Sequence, residues 1–309
     1  MSRTLDARLS LLAATTAAAG LLILLLRRRP RVATTPDPSP RLEVCVDSVE
    51  SALAAEAGGA SRVELCDALV EGGLTPSAGK LRVCVRRVAL PVHAMLRPRS
   101  GDFLYSELEI DVILADLAAL KAAGAAGFVF GALLADGTVD EALLKRVVAA
   151  AWPRPVTFHR ALDVAADPLA ALAACARCGV ARVLSSGGCA TALEGAATLR
   201  SLVDAAAKLG GPTIAAGGGV TEENVAALLR ASGVDEVHGS CREPVRSAMR
   251  HRPPQPVPMG GERRNTADSE FEWKQASERR VRAAVDAARD VGRRADEIDV
   301  LGALRKAGA

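Results

Sequence analysis

The chain has 309 residues, half of them hydrophobic but only eight aromatic, so it can bury a large aliphatic core of the kind found in helix-covered parallel sheets. Its 39 basic and 36 acidic residues nearly cancel, leaving a net charge of +3; this balance excludes a polyanion partner, and no basic, aromatic-interleaved stretch points to nucleic acid. Seven cysteines in so long a chain make no disulfide framework and read as free thiols in a reducing compartment.

Residues 1–31 differ in character from the remainder of the chain. Ser10 to Leu26 is an uncharged, mostly apolar run of 17 residues, with Arg8 before it and Arg27, Arg28, Arg29 and Arg31 after it. That length is at the lower limit for a membrane span. The run is expected to form an apolar helix outside the folded domain. A single-span membrane anchor, a transit peptide for a mitochondrion or plastid, and a cleaved secretory signal all fit; the free thiols weigh against the last. As an anchor, the arginine excess would hold the domain on the cytosolic side. Residues 32–40 are a Pro-rich linker.

From there strand and helix patterns alternate. Strands are expected at 42–46, 62–66, 91–96, 127–130, 155–159, 181–185, 212–216 and 234–238. Helix patterns fill the gaps at 48–57, 77–88, 109–123, 140–150, 168–178, 191–209 and 221–231. This alternation predicts an α/β fold, a closed TIM-type (β/α)8 barrel over 41–290, or failing that an open doubly wound sheet. The Pro-, Gly- and Arg-rich residues 250–269 are expected to be a disordered insertion. A helix at 270–290 then supplies the missing eighth helix, and 291–309 form a charged extension.

The first two strands carry a repeated phrase. Glu43 and Cys45 in the first, and Glu64 and Cys66 in the second, are spaced 21 residues apart as pairs. Side chains alternate along a strand, so each Glu shares a face with its Cys. Strands joined by a helical crossover are parallel and commonly adjacent. If they pair in register, two carboxylates lie at one level and two thiols at the next, close enough to clasp a small soft ion.

Several stretches then match a family. PRSGDFLYSELE (98–109), TFHRALD (157–163), RVLSSGG (182–188), AAGGGVTEENV (215–225) and EVHGSCR (236–242) resemble the signature segments of the CutC copper-homeostasis family, and LEVCVDSVESA and RVELC resemble its first two strands. The resemblance covers about 41–250 and extends to the 270–290 helix. It implies a TIM barrel, a cytoplasmic setting and Cu(I) bound by Cys45 and Cys66; it implies no established catalytic activity. Residues 1–31 and 291–309 lie outside the family pattern, so a cellular location does not carry over from it.

The residue chemistry points the same way. Thiolates are soft ligands that prefer Cu(I), zinc or iron–sulfur clusters, and two sulfurs underfill a tetrahedral zinc site but suit low-coordinate Cu(I). The competing reading is that both cysteines are ordinary buried small residues. Met95 could add a thioether, although core packing explains it as well, and Cys241, just past the eighth strand, could add a third thiol. Cys175 and Cys178 form a C-x-x-C inside a helix pattern, which is a weak redox signal. Polar residues also gather at strand C-termini, where TIM-barrel active sites sit. Glu64, Arg97, Arg99, His159, Asp163 and His238 are candidate catalytic residues, with His159 or Glu64 as acid/base and Arg97 and Arg99 as anion clamps. Gly217, Gly218 and Gly219 precede a helix and form a candidate anion site. A second expectation is therefore an enzyme acting on a small anionic substrate, phosphorylated or not; against it, the same charges could be an internal ion-pair network. The sequence leaves homo-oligomerisation open.

Overall fold

The computed structural model describes residues 40–255, 257 and 270–307. The expected span at 10–26 and most of the insertion at 250–269 lie outside them. Among the described residues no helix is long and apolar enough to cross a membrane.

Eight strands close into a parallel barrel in sequence order. They are β1 (Arg41–Val46), β2 (Arg62–Leu65), β3 (Val92–Met95), β4 (Gly127–Phe130), β5 (Val156–Phe158), β6 (Arg182–Ser185), β7 (Thr213–Gly217) and β8 (Glu236–Gly239). Seven helices alternate with them: α1 (Val49–Ala57), α2 (Ala78–Arg87), α3 (Glu107–Ala123), α4 (Glu141–Ala151), α5 (Pro168–Arg177), α6 (Ala196–Leu209) and α7 (Val225–Ser232). Local signals set the helix starts. Ser48 caps α1 by accepting from the Ser51 N–H at 3.1 Å. Ser106 and Glu109 form a capping box at α3, and Asp167 caps α5 with Pro168 in the first turn. The outward faces of the strands, Leu42, Val44, Val63, Leu65, Phe128, Phe130 and Phe158 among them, are buried under the helices.

The end of the chain departs from expectation. Residues 270–290 are not one helix. Glu272–Ala276 form strand β10, antiparallel to β9 (Arg242–Arg246), and the helix α8 begins only at Glu278 and runs to Ala307. The strands are short and polar and stand at a sheet edge, which is why no strand pattern is visible there. From Glu278 onward the expectation holds, since α8 packs beside α7, α1 and β1 and fills the eighth helical position. Val281, Ala284 and Ala288 are its buried stripe.

Register is the second departure. Glu43 pairs with Arg62, and Cys45 with Glu64. The two Glu-x-Cys phrases are thus offset by two residues rather than level. Closure demands this: a barrel's strands tilt, and the hydrogen-bond register must stagger around the ring.

Inside, the lower layer of side chains is charged. The Glu236 carboxylate accepts from Arg62 at 2.8 Å, Arg182 at 2.5 Å and Arg41 at 2.8 Å. Arg182 also donates to the Thr157 hydroxyl at 3.0 Å, and Arg62 pairs with Glu43. These groups plug the N-terminal end of the barrel.

Candidate metal centre

Above that layer lie the donors of interest. The β1/β8 pairing sets Glu43 level with His238, and His238 Nδ1 lies 2.9 Å from Glu43 Oε1. Ligand atoms of Glu43, Glu64 and His238 all lie within 4.8 Å of one another. The Cys66 thiol donates to Glu64 Oε1 at 3.3 Å, whereas Glu64 Oε2 is buried with no hydrogen-bond partner among the described residues. Cys45 is half-buried and lies within electrostatic reach of the His238 ring. Cys66 is fully buried and packs against Met95 and Val129. Gly73, at φ +94°, lets the β2–α2 loop press onto this pair; a Cβ there would sit 3.0 Å from the Cys66 sulfur. No disulfide joins the described cysteines, all seven of which are free.

The electrostatics reflect burial and neighbours. Burial alone would raise the Glu43 carboxyl, but Arg62 and His238 outweigh it and hold it well below the usual range. Burial raises Glu64, with Glu43 adding to it, and His238 and Arg62 offset this only in part. His238 would be pushed down by burial, yet Cys45, Glu64 and Glu43 together hold its ring well above the ordinary imidazole value. Cys66 is pushed well up by burial, by Glu64 and by Cys45. Ionisation of the Cys66 thiol is therefore disfavoured in the metal-free barrel.

The other expected site residues divide into separate groups. Arg97 is not a free clamp: its guanidinium donates to the carbonyls of Glu71 at 2.9 Å, Gly73 at 3.3 Å and Gly101 at 2.8 Å, tying two loops over the barrel mouth. Arg99 turns outward to Glu109 at 2.5 Å and Asp102 at 2.9 Å, so the sequence expectation of a clamp there is corrected. Asp163 is a structural hub, accepting from Ser185, Ser186, Gly188 and Arg160. Both of its carboxylate oxygens are engaged in this network. His159 accepts from the Ala161 N–H at Nδ1, 3.2 Å away, and its ring lies 4.8 Å from that of Phe103. Its Nε2 is buried without a partner among the described residues, and burial pushes the ring down to about 3. Gly217 faces Leu184 and His238; Gly218, at φ +115°, lies under Arg160 and Ser186. The Gly218 and Gly219 carbonyls accept from Ala192 N–H and Asn224 Nδ2. Gly218 thus borders Arg160 and Ser186, while Gly217 borders the His238 of the Glu64 cluster.

Cys241 is buried, adopts φ +45°, and lies within electrostatic reach of Cys45; burial pushes its thiol up to about 11. Cys175 and Cys178 sit on the barrel's outer layer, free and buried, with both thiols raised by burial, which disfavours the reactive thiolate. The sequence reading missed Arg62, His93, Arg182 and Glu236. Strand alternation from Glu64 and His238 would have placed Arg62 and Glu236 inside too.

A closed (β/α)8 barrel with two carboxylates and an imidazole converging in its interior, and the Cys66 thiol against one of them, defines the class: a TIM-barrel protein with a buried oxygen and nitrogen donor cluster flanked by cysteine. The model of the CutC family matches residues 40–243. The chain is 46% identical over 250 residues to the copper homeostasis protein cutC homolog of Mus musculus, covering 81% of this chain and 90% of the mouse protein. The human homolog is 49% identical over 211 residues, covering 68% and 77% of the two chains. A solved CutC structure from Streptococcus agalactiae superposes with a TM-score of 0.62 at 28% identity, covering 65% of this chain and 98% of that one. This protein belongs to the CutC family.

Proposed function

We propose that the chain serves copper homeostasis by binding Cu(I) through Cys45 and Cys66. The observation that carries this reading is the placement of both thiols on neighbouring strands, facing the same barrel interior, each within electrostatic reach of the other. The relatives' own names, copper homeostasis proteins, supply the metal. Two thiolates are a donor set that Cu(I) accepts and harder cations do not favour. Met95 beside Cys66 adds a polarizable wall. The metal is cargo here, and the barrel is its receptacle.

The test is an anaerobic Cu(I) titration of the full chain beside the Cys45→Ser/Cys66→Ser variant. The variant should lose tight binding and keep the wild-type circular dichroism. Undiminished affinity in the folded double variant ends the reading.

A second reading, an enzyme acting on a small anionic substrate, is favoured by one feature alone: the buried, unpartnered His159 Nε2, whose N–H is free to donate because Nδ1 is the acceptor. Thermal-shift screening of the full chain with phosphorylated and carboxylate metabolites tests it; a ligand whose stabilisation vanishes in His159→Phe supports it.

A further inference from the structure

The barrel interior holds a donor group that the two cysteines do not explain. Glu43 on β1, Glu64 on β2 and His238 on β8 converge there, each Glu two residues before its cysteine, and ligand atoms of all three lie within 4.8 Å of one another. His238 Nδ1 and Glu43 Oε1 are 2.9 Å apart. Two donors each about 2.0–2.2 Å from one ion and at right angles lie about 3 Å apart, and opposed ones about 4.2 Å, so this spread suits a single coordination shell. The three residues are 3%, 3% and 9% exposed. Arg62 holds Glu43 by Oε2, which leaves Oε1 turned toward His238. Glu64 is the independent sign. The buried guanidiniums of the layer below go to Glu43 and Glu236 and none to Glu64. Its Oε1 accepts from the Cys66 thiol, and its Oε2 is buried with no hydrogen-bond partner among the described residues. His93, its register partner on β3, also has a buried and unpartnered atom, Nδ1, so two orphaned atoms belong to neighbouring strands facing the same interior. A position for an ion or an ordered water is the ordinary reason for such atoms.

We propose that Glu43, Glu64 and His238 form a site for one divalent transition-metal ion, separate from the thiols. Its donors are two carboxylate oxygens and one imidazole nitrogen. Carboxylates suit Mn(II) and imidazole suits iron and its neighbours, so the set fits Mn(II) or Fe(II) and offers a soft monovalent ion little. The ion takes the place of the proton between His238 Nδ1 and Glu43 Oε1, and the neutral imidazole keeps its N–H at Nε2. Glu64 Oε2 supplies the third bond, which gives the orphaned oxygen its partner. Arg62 grips the other oxygen of Glu43 and fixes the carboxylate, as the partners of metal-bound carboxylates do. Three protein donors leave open positions for water or substrate. The site stands apart from the copper reading, because its donors include no sulfur.

The test uses the full chain, reduced and metal-free, titrated with Mn(II) while electron paramagnetic resonance follows the signal of the free ion. Wild type should take up one equivalent, and pulsed measurements on the bound ion should show coupling to an imidazole nitrogen. Glu64→Gln keeps the shape and an acceptor for Cys66 but removes the charge. It should lower Mn(II) affinity by more than the about 10–100-fold that losing a residue behind a ligand costs. His238→Gln should do the same and abolish the nitrogen coupling. Circular dichroism shows which variants fold, and the isosteric Glu64 variant carries the test if the His238 variant does not. Glu43 is left intact because it also anchors Arg62. Absence of stoichiometric uptake by wild type, or unchanged Mn(II) affinity in the folded variants, overturns the proposal. Mn(II) binding that is lost in Cys45→Ser/Cys66→Ser but retained in Glu64→Gln puts the ion on the thiols and overturns it equally.

Discussion

Replacing Glu236 isolates what the charged lower layer contributes. The carboxylate is 2% exposed and accepts from three guanidiniums; Arg62 and Arg182 are 8% and 12% exposed, while Arg41 is 54% exposed. The Arg41 contact is screened by solvent and adds little. The two buried contacts are charge-assisted hydrogen bonds, for which about 1.5–3 kcal/mol each is typical. Glu236→Gln keeps the volume and one acceptor but removes the charge, leaving Arg182 with only Thr157 and Arg62 with only Glu43. Uncompensated buried charge of this kind costs about 3–5 kcal/mol. For a domain of this size about 2–4 °C of Tm is lost per kcal/mol, so a fall of about 6–20 °C is expected in thermal unfolding followed by circular dichroism. The folded pKa of Glu236 lies below its unfolded value, because Arg182 and Arg62 outweigh burial. Its contribution is therefore present above the unfolded carboxylate value and lost as pH falls toward the folded one. Wild type and variant should converge in that acid window. A Tm change below about 1 kcal/mol equivalent at pH 7, or a gap that widens on acidification, refutes the reasoning.

Cu(I) uptake should release protons and tighten as pH rises, because both burial of the Cys66 thiol and its acidic surroundings disfavour thiolate in the metal-free protein; proton release measured in weak buffer checks it. His93 and His159, pushed down to about 4 and about 3 by burial, should keep neutral ring signals by NMR on descent to pH 5, and each contributes stability that is present above the unfolded histidine value and lost as pH falls toward its folded one. Gly58→Ala should loosen α8, since its new Cβ would lie 2.5 Å from Val281; overpacking of this kind costs about 1–3 kcal/mol, and hydrogen exchange in residues 278–290 should rise while the barrel strands stay protected.

The strands were legible because two-residue alternation and helix periodicity are local properties. Expected and observed strands agree to within a residue or two, and the (β/α)8 closure comes from their count. Register was not legible. Whether Cys45 faces Cys66 or Glu64 depends on the shear of the closed ring, which no short stretch encodes. The same limit hid the partners of Glu43, since Arg62 and His238 reach it from opposite sides of β1. Arg97 and Arg99 read as clamps because guanidiniums near a barrel mouth suit anions; only three dimensions show that backbone carbonyls and Glu109 already occupy them. The β9–β10 pair escaped because its strands are polar and separated by the residues between Arg246 and Glu272.

The plugged lower end of the barrel has a directional consequence. Arg62, Arg182, Glu236 and Thr157 interlock across the interior, so nothing passes through the ring from one end to the other. The vessel has a single door. On the proposed copper reading, whatever delivers a metal ion to Cys45 and whatever collects it must meet the same face, in turn and never together. Under that reading handover would be a competition at one threshold, decided by which visitor offers the better ligands, and the barrel would serve as a reservoir between exchanges, not as a conduit.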